Sequence, residues 1–110
     1  MTLLDMNTFN ELKESTGEDF IKELIGTFFD DAVVQMNEMK IASAAKDAET
    51  FRRAAHSLKS NANTFGATEL ASLARELEMM GRENNFEVGN RLEVLKEAFE
   101  SVKKELSELR

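Results

Sequence analysis

The chain has 110 residues and no cysteine, and its 14 Lys and Arg residues against 21 Asp and Glu residues give a formal net charge of -7. This length suits one domain, and the fractions of hydrophobic (42%) and charged residues (32%) are typical of a chain that folds. The acidic charge disfavours nucleic acid and anionic membranes as partners, and the absence of cysteine excludes disulfides and sulfur-ligated zinc.

The predicted secondary structure is helical throughout, because proline is absent and no strand-like alternation of residues is visible. A first short helix is capped by Asp5. It ends near Ser15, and the capping-box spacing of Ser15 and Glu18 predicts that a new helix begins there. The second and longest helix is predicted from about Glu18 to about Ser43. Its apolar residues recur at helical spacing: Phe20, Leu24, Phe28, Ala32, Met36 and Met39.

Two further helices are predicted in the middle of the chain. The third runs from a cap at Asp47 to an end near Gly66. The fourth begins at a cap on Thr68 and ends before Gly81. It carries the apolar residues Leu70, Leu73, Leu77 and Met80. The connections between these helices are short, which favours antiparallel packing of neighbours.

The fifth predicted helix opens at Asn84 or Asn85 and has apolar residues at alternating steps of four and three. These residues are Val88, Leu92, Leu95, Phe99, Val102, Leu106 and Leu109. So regular a seam also occurs in coiled coils and leaves weak dimerisation open, but here it lasts only about three heptads. We therefore expect an all-α fold, an antiparallel up-down four-helix bundle with a short additional N-terminal helix, formed by a monomer.

Several kinds of function are disfavoured by the sequence. No apolar run approaches the roughly 20 residues that span a bilayer, and the first residues lack a signal-peptide pattern, so we expect a cytoplasmic protein without membrane contact. A di-iron bundle needs two histidines and the chain has one, so we expect no metal site. An enzyme needs a base, a nucleophile and an oxyanion site in one cleft, which a small bundle rarely offers.

The third helix carries the single histidine, His56. The predicted core stripe of this helix consists of Phe51, Ala55, Leu58, Ala62 and Phe65. At about 100° per residue, His56 lies about 140° from Phe51, beyond the stripe, and should face solvent. Arg52 and Lys59 lie one turn before and one turn after it. This arrangement predicts a local anion site on an otherwise acidic protein.

An exposed imidazole between cations is suited to phosphoryl chemistry. The imidazole can act as a nucleophile toward phosphorus, and a flanking cation such as Lys59 can balance the charge of a phosphoryl group. The alternative is that the cations are ordinary solvated charges, paired with Asp47, Glu49 or Glu78, and that the histidine has no special role. Spacing alone does not decide between these interpretations.

The segment HSLKSNANTFGA, which begins at His56, resembles the signature of histidine phosphotransfer (HPt) domains, H-x-L-K-G followed by small residues, an apolar residue and glycine. The stretches GEDFIKELIGTFFDDA and LARELEMMGRENNF are similar to the second and fourth helices of that family. The resemblance implies that residues 1–110 form one HPt domain. It further implies that His56 accepts a phosphoryl group from a receiver-domain phospho-aspartate, or from a hybrid histidine kinase, and passes it to another receiver.

The resemblance also assigns expected roles to other residues. Lys59 would steady the phosphoryl group, and Glu78 would hold the second ring nitrogen of His56. Ser60 stands where the family usually has glycine, and its hydroxyl can donate a hydrogen bond to the phosphoryl group. Arg52 is a further candidate for stabilising that group because of its spacing one turn before His56, independently of the resemblance.

The partners implied by the resemblance are response-regulator receiver domains and a histidine kinase. We expect no cofactor in the chain itself, because the receiver domain brings the Mg²⁺ ion and the aspartate. The chain would then be a phosphoryl-group carrier of a two-component phosphorelay and not a complete enzyme. The alternative is a helical protein-interaction scaffold with the same bundle and no phosphotransfer.

Overall fold

The computed structural model describes residues 4–109, and all regular structure within this range is helical. The five helices are α1 (Met6–Thr16), α2 (Glu18–Ala45), α3 (Ala48–Thr64), α4 (Thr68–Arg82) and α5 (Arg91–Leu109). The predicted all-α fold class is therefore confirmed. Across the same range, no helix combines the length and the apolar composition needed to cross a membrane.

The helices enclose one apolar core. The predicted stripe of α3 is buried at all five positions: Phe51, Ala55, Leu58, Ala62 and Phe65. Aromatic rings connect three helices at the centre, where Phe28 of α2 stacks on Phe65 with the ring centroids 4.9 Å apart and meets Phe99 of α5 edge-on at 5.9 Å. α3 packs most extensively against α4 and next against α2. α3 is therefore held between two neighbours, with one face left for solvent.

Helices α1 and α3 begin at aspartate caps, as the sequence predicted. The carboxylate of Asp5 accepts the backbone N–H of Asn7 at 3.1 Å. The carboxylate of Asp47 accepts the hydroxyl of Thr50 at 2.7 Å and its backbone N–H at 3.2 Å. These hydrogen bonds to Thr50 lower the pKa of Asp47. Each aspartate satisfies donors that a helix start leaves without a partner.

Two other predicted caps are wrong. Ser15 still belongs to α1, and Gly17 alone links α1 to α2 without a side-chain cap, so Ser15 and Glu18 form no capping box. Helix α4 begins at Thr68 itself, and the capping position is occupied by Ala67. Ala67 is fully buried and its N–H donates to the Ala62 carbonyl at 2.8 Å. A buried apolar residue thus occupies the position that a polar capping residue would have needed.

Helix α5 begins at Arg91 and not at Asn84 or Asn85 as predicted. Asn84 has a left-handed backbone, with φ 56°, and the N–H groups of both asparagines donate to carbonyls in the last turn of α4. Both residues therefore close α4. The irregular segment that follows is anchored by Phe86, whose ring meets that of Phe51 edge-on at 5.8 Å.

The turn between α3 and α4 requires a glycine. Gly66 has φ 79°, a left-handed conformation that disfavours other residues, and a Cβ there would lie 2.7 Å from the carbonyl oxygen of Asp5. The N–H of Asp5 in turn donates to the Gly66 carbonyl at 2.7 Å. This backbone contact fastens the start of α1 to the end of α3.

Candidate functional site

His56 lies on the outer face of α3, opposite the buried stripe, with 54% of its side chain exposed. Its sequence neighbour Ala55 and the nearby Leu58 are fully buried, which fixes the rotation of the helix. The exposure of the imidazole therefore follows from the packing of the opposite face of α3.

A buried carboxylate on α4 lies beside the histidine. Glu78 is 2% exposed and is the one buried charged residue within residues 4–109. Its Oε2 atom lies 2.7 Å from Nδ1 of His56, and its Oε1 atom accepts a hydrogen bond of 2.7 Å from Nζ of Lys59. The carboxylate therefore joins the histidine and the lysine of α3 to α4.

The ionisation of Glu78 is set by opposing effects. Burial raises the pKa of its carboxyl group, but the hydrogen bonds from Lys59 and His56, together with the charges of these groups, lower it by more. The net pKa lies below the ordinary value of 4.5, so Glu78 is ionised at neutral pH. An ionised carboxylate only accepts hydrogen bonds, and Nδ1 of His56 therefore carries the hydrogen. In the neutral imidazole this leaves the lone pair on Nε2.

Arg52 and Ser60 have other partners. The guanidinium of Arg52 donates to Glu49 at 3.2 Å, which turns it toward the start of α3. Ser60 is exposed one turn after His56, and its carbonyl accepts the hydroxyl of Thr64 at 3.0 Å. Of the predicted site residues, the structure thus brings His56, Lys59 and Glu78 into direct contact, while Arg52 pairs elsewhere and Ser60 lies nearby on the same face.

Arg82, which is not among the predicted site residues, also belongs to this cluster. One of its guanidinium nitrogens lies 3.5 Å from Oε2 of Glu78, and 62% of its side chain is exposed. Residues four apart on a helix share a face, so Arg82 lies beside the histidine once Glu78 is placed there. That spacing is the sequence signal that could have found it.

The arrangement provides an accessible nucleophile with cations nearby. The imidazole has a free nitrogen lone pair, a carboxylate that can compensate positive charge on the ring, and Lys59 and Arg82 as cations for an incoming anion. Within residues 4–109, no three His, Asp or Glu side chains are grouped so that they could hold a metal ion.

Comparison with known proteins identifies the family. The family model described as Hpt domain matches residues 23–110, and the chain therefore belongs to the Hpt domain family. The sensor protein TorS of Escherichia coli (strain K12) is 35% identical over 75 residues, which are 68% of this chain. The match spans only 8% of the length of TorS.

A solved structure agrees with this assignment. The crystal structure of histidine-containing phosphotransfer protein B (HptB) from Pseudomonas aeruginosa PAO1 matches with a TM-score of 0.86 at 29% sequence identity. The match covers 96% of this chain and 91% of that chain. The chain is thus a member of a family that serves histidine phosphotransfer in two-component signalling.

Proposed function

We propose that this chain is a phosphorelay carrier that accepts a phosphoryl group on Nε2 of His56 and passes it to a receiver domain. The donor is the phospho-aspartate of another receiver domain or a hybrid histidine kinase. The observation that carries the proposal is the 2.7 Å contact between Nδ1 of His56 and the buried carboxylate of Glu78. This contact leaves the lone pair of an exposed imidazole on Nε2, where a docked partner can reach it.

The transfer step does not require a base on the carrier. Nε2 of His56 attacks the phosphorus atom of the phospho-aspartate, the N–P bond forms, and the P–O bond to the aspartate breaks. The aspartate leaves as a carboxylate. The hydrogen on Nδ1 stays in its bond to Glu78, whose negative charge compensates the positive charge that the ring acquires. Transfer to the next receiver reverses these bond changes.

Lys59 supplies the first positive charge for the phosphoryl group in this proposal. Its ammonium is held against Glu78 in the unphosphorylated state, one turn from His56. Arg52 and Ser60 are further candidates on the same face. Arg52 would first have to leave Glu49, an exposed ion pair of a kind worth about 0–1 kcal/mol, so the cost of release is small.

In this role the chain is a carrier and not a complete enzyme. The receiver domain supplies the phospho-aspartate and the Mg²⁺ ion, and the kinase supplies the phosphoryl group at the start of the relay. We further propose that residues 1–110 form one monomeric domain of the cytoplasm, with α2 to α5 as an antiparallel up-down bundle and α1 as a short addition. The packing of α3 against α2 and α4, and of α5 against α2 and α4, supports this arrangement.

The proposal is tested by phosphoryl labelling. Receiver domains of the organism's own response regulators are labelled on aspartate with ³²P-acetyl phosphate, purified and mixed with the full chain. We expect label on the carrier that is lost in acid and retained in alkali, as phosphohistidine requires.

Matched variants assign the labelled residue. His56→Gln should remove all label and keep the helix content, and it should lower the melting temperature by no more than the loss of one hydrogen bond to Glu78 requires, because the half-exposed side chain contributes little to the core. Ser60→Ala should still be labelled. Label that survives acid, label on His56→Gln, or no transfer from any of the receivers would each contradict the proposal.

A further inference from the structure

Helices α3 and α4 lie close together at Gly81, which is buried in the last turn of α4. A Cβ atom at this position would lie 3.1 Å from Cα of Arg52, 3.1 Å from its Cβ and 3.1 Å from a ring carbon of Phe51. Ordinary van der Waals contact of such atoms begins at 3.4 Å. A side chain at residue 81 therefore requires its neighbours to move by a few tenths of an ångström.

The neighbours of Gly81 cannot move by a simple change of rotamer. Two of the three atoms are Cα and Cβ of Arg52, which are fixed to the backbone of α3. The third belongs to Phe51, which is fully buried and packed against the ring of Phe86. Interiors this closely packed transmit strain, so the displacement would act on the separation of the two helices.

The close contact is adjacent to the candidate site. Gly81 lies three residues after Glu78 on α4, and Arg52 lies four residues before His56 on α3, so each is one turn from the site. The hydrogen bonds that Glu78 accepts from His56 and Lys59 are both 2.7 Å long, at the short end of the normal range. An increase in helix separation would therefore lengthen both.

We propose that Gly81 is a positioning residue for the phosphotransfer site: it sets the separation of α3 and α4 at which the Glu78 carboxylate reaches both His56 and Lys59. Glycine is a poorer helix former than alanine. Gly81 therefore does not serve the stability of α4 itself. Its effect on transfer rests on the proposed function, whereas its effect on the ring hydrogen bond does not.

The test is Gly81→Ala, measured in two ways. Nitrogen-15 chemical shifts of the His56 ring report which ring nitrogen carries the hydrogen, and the labelling assay gives the rate of transfer from a phosphorylated receiver. We expect a loss of the Nδ1–H form and a transfer rate lowered by roughly 10- to 100-fold, as small misplacements of reacting groups cause.

The control is Leu106→Ala, which weakens the core at a fully buried position of α5, outside the contact between α3 and α4. It should lower the melting temperature but keep the wild-type ring shifts and transfer rate. Wild-type ring shifts in Gly81→Ala, together with a raised melting temperature from the better helix former, would overturn the proposal.

A second variant applies if Gly81→Ala does not fold. Glu78→Asp withdraws the carboxylate by one methylene without adding atoms between the helices, and we expect it to lose the Nδ1–H form as well. Retention of that form would overturn the proposal, because the carboxylate would then tolerate a longer reach. Altered ring shifts in Gly81→Ala, combined with a wild-type protein that no receiver labels, would reject the proposed function and keep the positioning role.

Discussion

Replacement of Glu78 by glutamine tests the network at the site most directly. His56 and Lys59 donate to different oxygens of the Glu78 carboxylate, and the amide of Glu78→Gln keeps only one of these two oxygens. Its NH₂ group would face the donor that is left. One hydrogen bond to a charged group is lost, which corresponds to about 1.5–3 kcal/mol of the free energy of unfolding.

The stability that Glu78→Gln loses relative to the wild type should depend on pH in a defined direction. The pKa of Glu78 is lower in the folded protein than the ordinary value of 4.5, which applies to the unfolded chain. The carboxylate therefore contributes its full stabilisation above about pH 4.5, and this contribution disappears as the pH falls through the lower, folded pKa. The stability difference between the wild type and Glu78→Gln should be constant near neutrality and shrink in acid.

Urea unfolding followed by circular dichroism measures both effects. Curves for the wild type and Glu78→Gln are recorded at pH 7 and at several values below pH 4.5. The matched control is Glu76→Gln on the same helix, which removes an exposed ion pair with Arg91 and should cost less than about 1 kcal/mol. Equal stabilities of Glu78→Gln and the wild type at pH 7, or a difference that persists unchanged in acid, would refute this account of the network.

Two further changes probe the site and the fold. Lys59→Ala should slow transfer to His56 or shorten the lifetime of the phosphohistidine, because a positive charge one turn away is lost. The decay of ³²P label measures this effect. Unchanged kinetics would mean that Lys59 is only a structural partner of Glu78. Gly66→Ala should lower the free energy of unfolding by about 1–3 kcal/mol, because the alanine would have to adopt a left-handed backbone and its Cβ would press against the Asp5 carbonyl. Urea unfolding measures this loss, and wild-type stability would mean that the turn adapts.

The exposure of His56 could be predicted from the sequence, whereas its partnership with Glu78 came from family resemblance. The apolar stripe from Phe51 to Phe65 fixes the rotation of α3, and the opposite face follows by geometry. On α4, Leu70 and Ala74 are buried and Glu78 continues the same four-residue spacing. This spacing places Glu78 on the buried face of α4. The signal is easily overlooked in the sequence, because Glu78 is an acidic residue that lies between Arg75 and Arg82.

The start of α5 illustrates what periodicity cannot predict. The heptad pattern extends back to Val88, which is half-buried and packs against the core although it lies outside any helix. Apolar spacing records burial, and an irregular segment can bury residues at similar intervals. The left-handed backbone of Asn84, which closes α4, leaves no comparable trace in the apolar pattern.

The burial of Glu78 is better explained by chemistry than by stability. A buried ion pair often contributes no more to stability than apolar side chains of the same volume would, because desolvation offsets the attraction. Here both partners can regain water, since the side chains of His56 and Lys59 are 54% and 24% exposed. An apolar residue at position 78 would therefore leave little unsatisfied, yet it could not hold a hydrogen on Nδ1 or compensate a charged ring. Burial makes the carboxylate costly to desolvate, but it also keeps water from competing for the hydrogen bonds of the carboxylate. A fixed tautomer at His56 requires this exclusion of water.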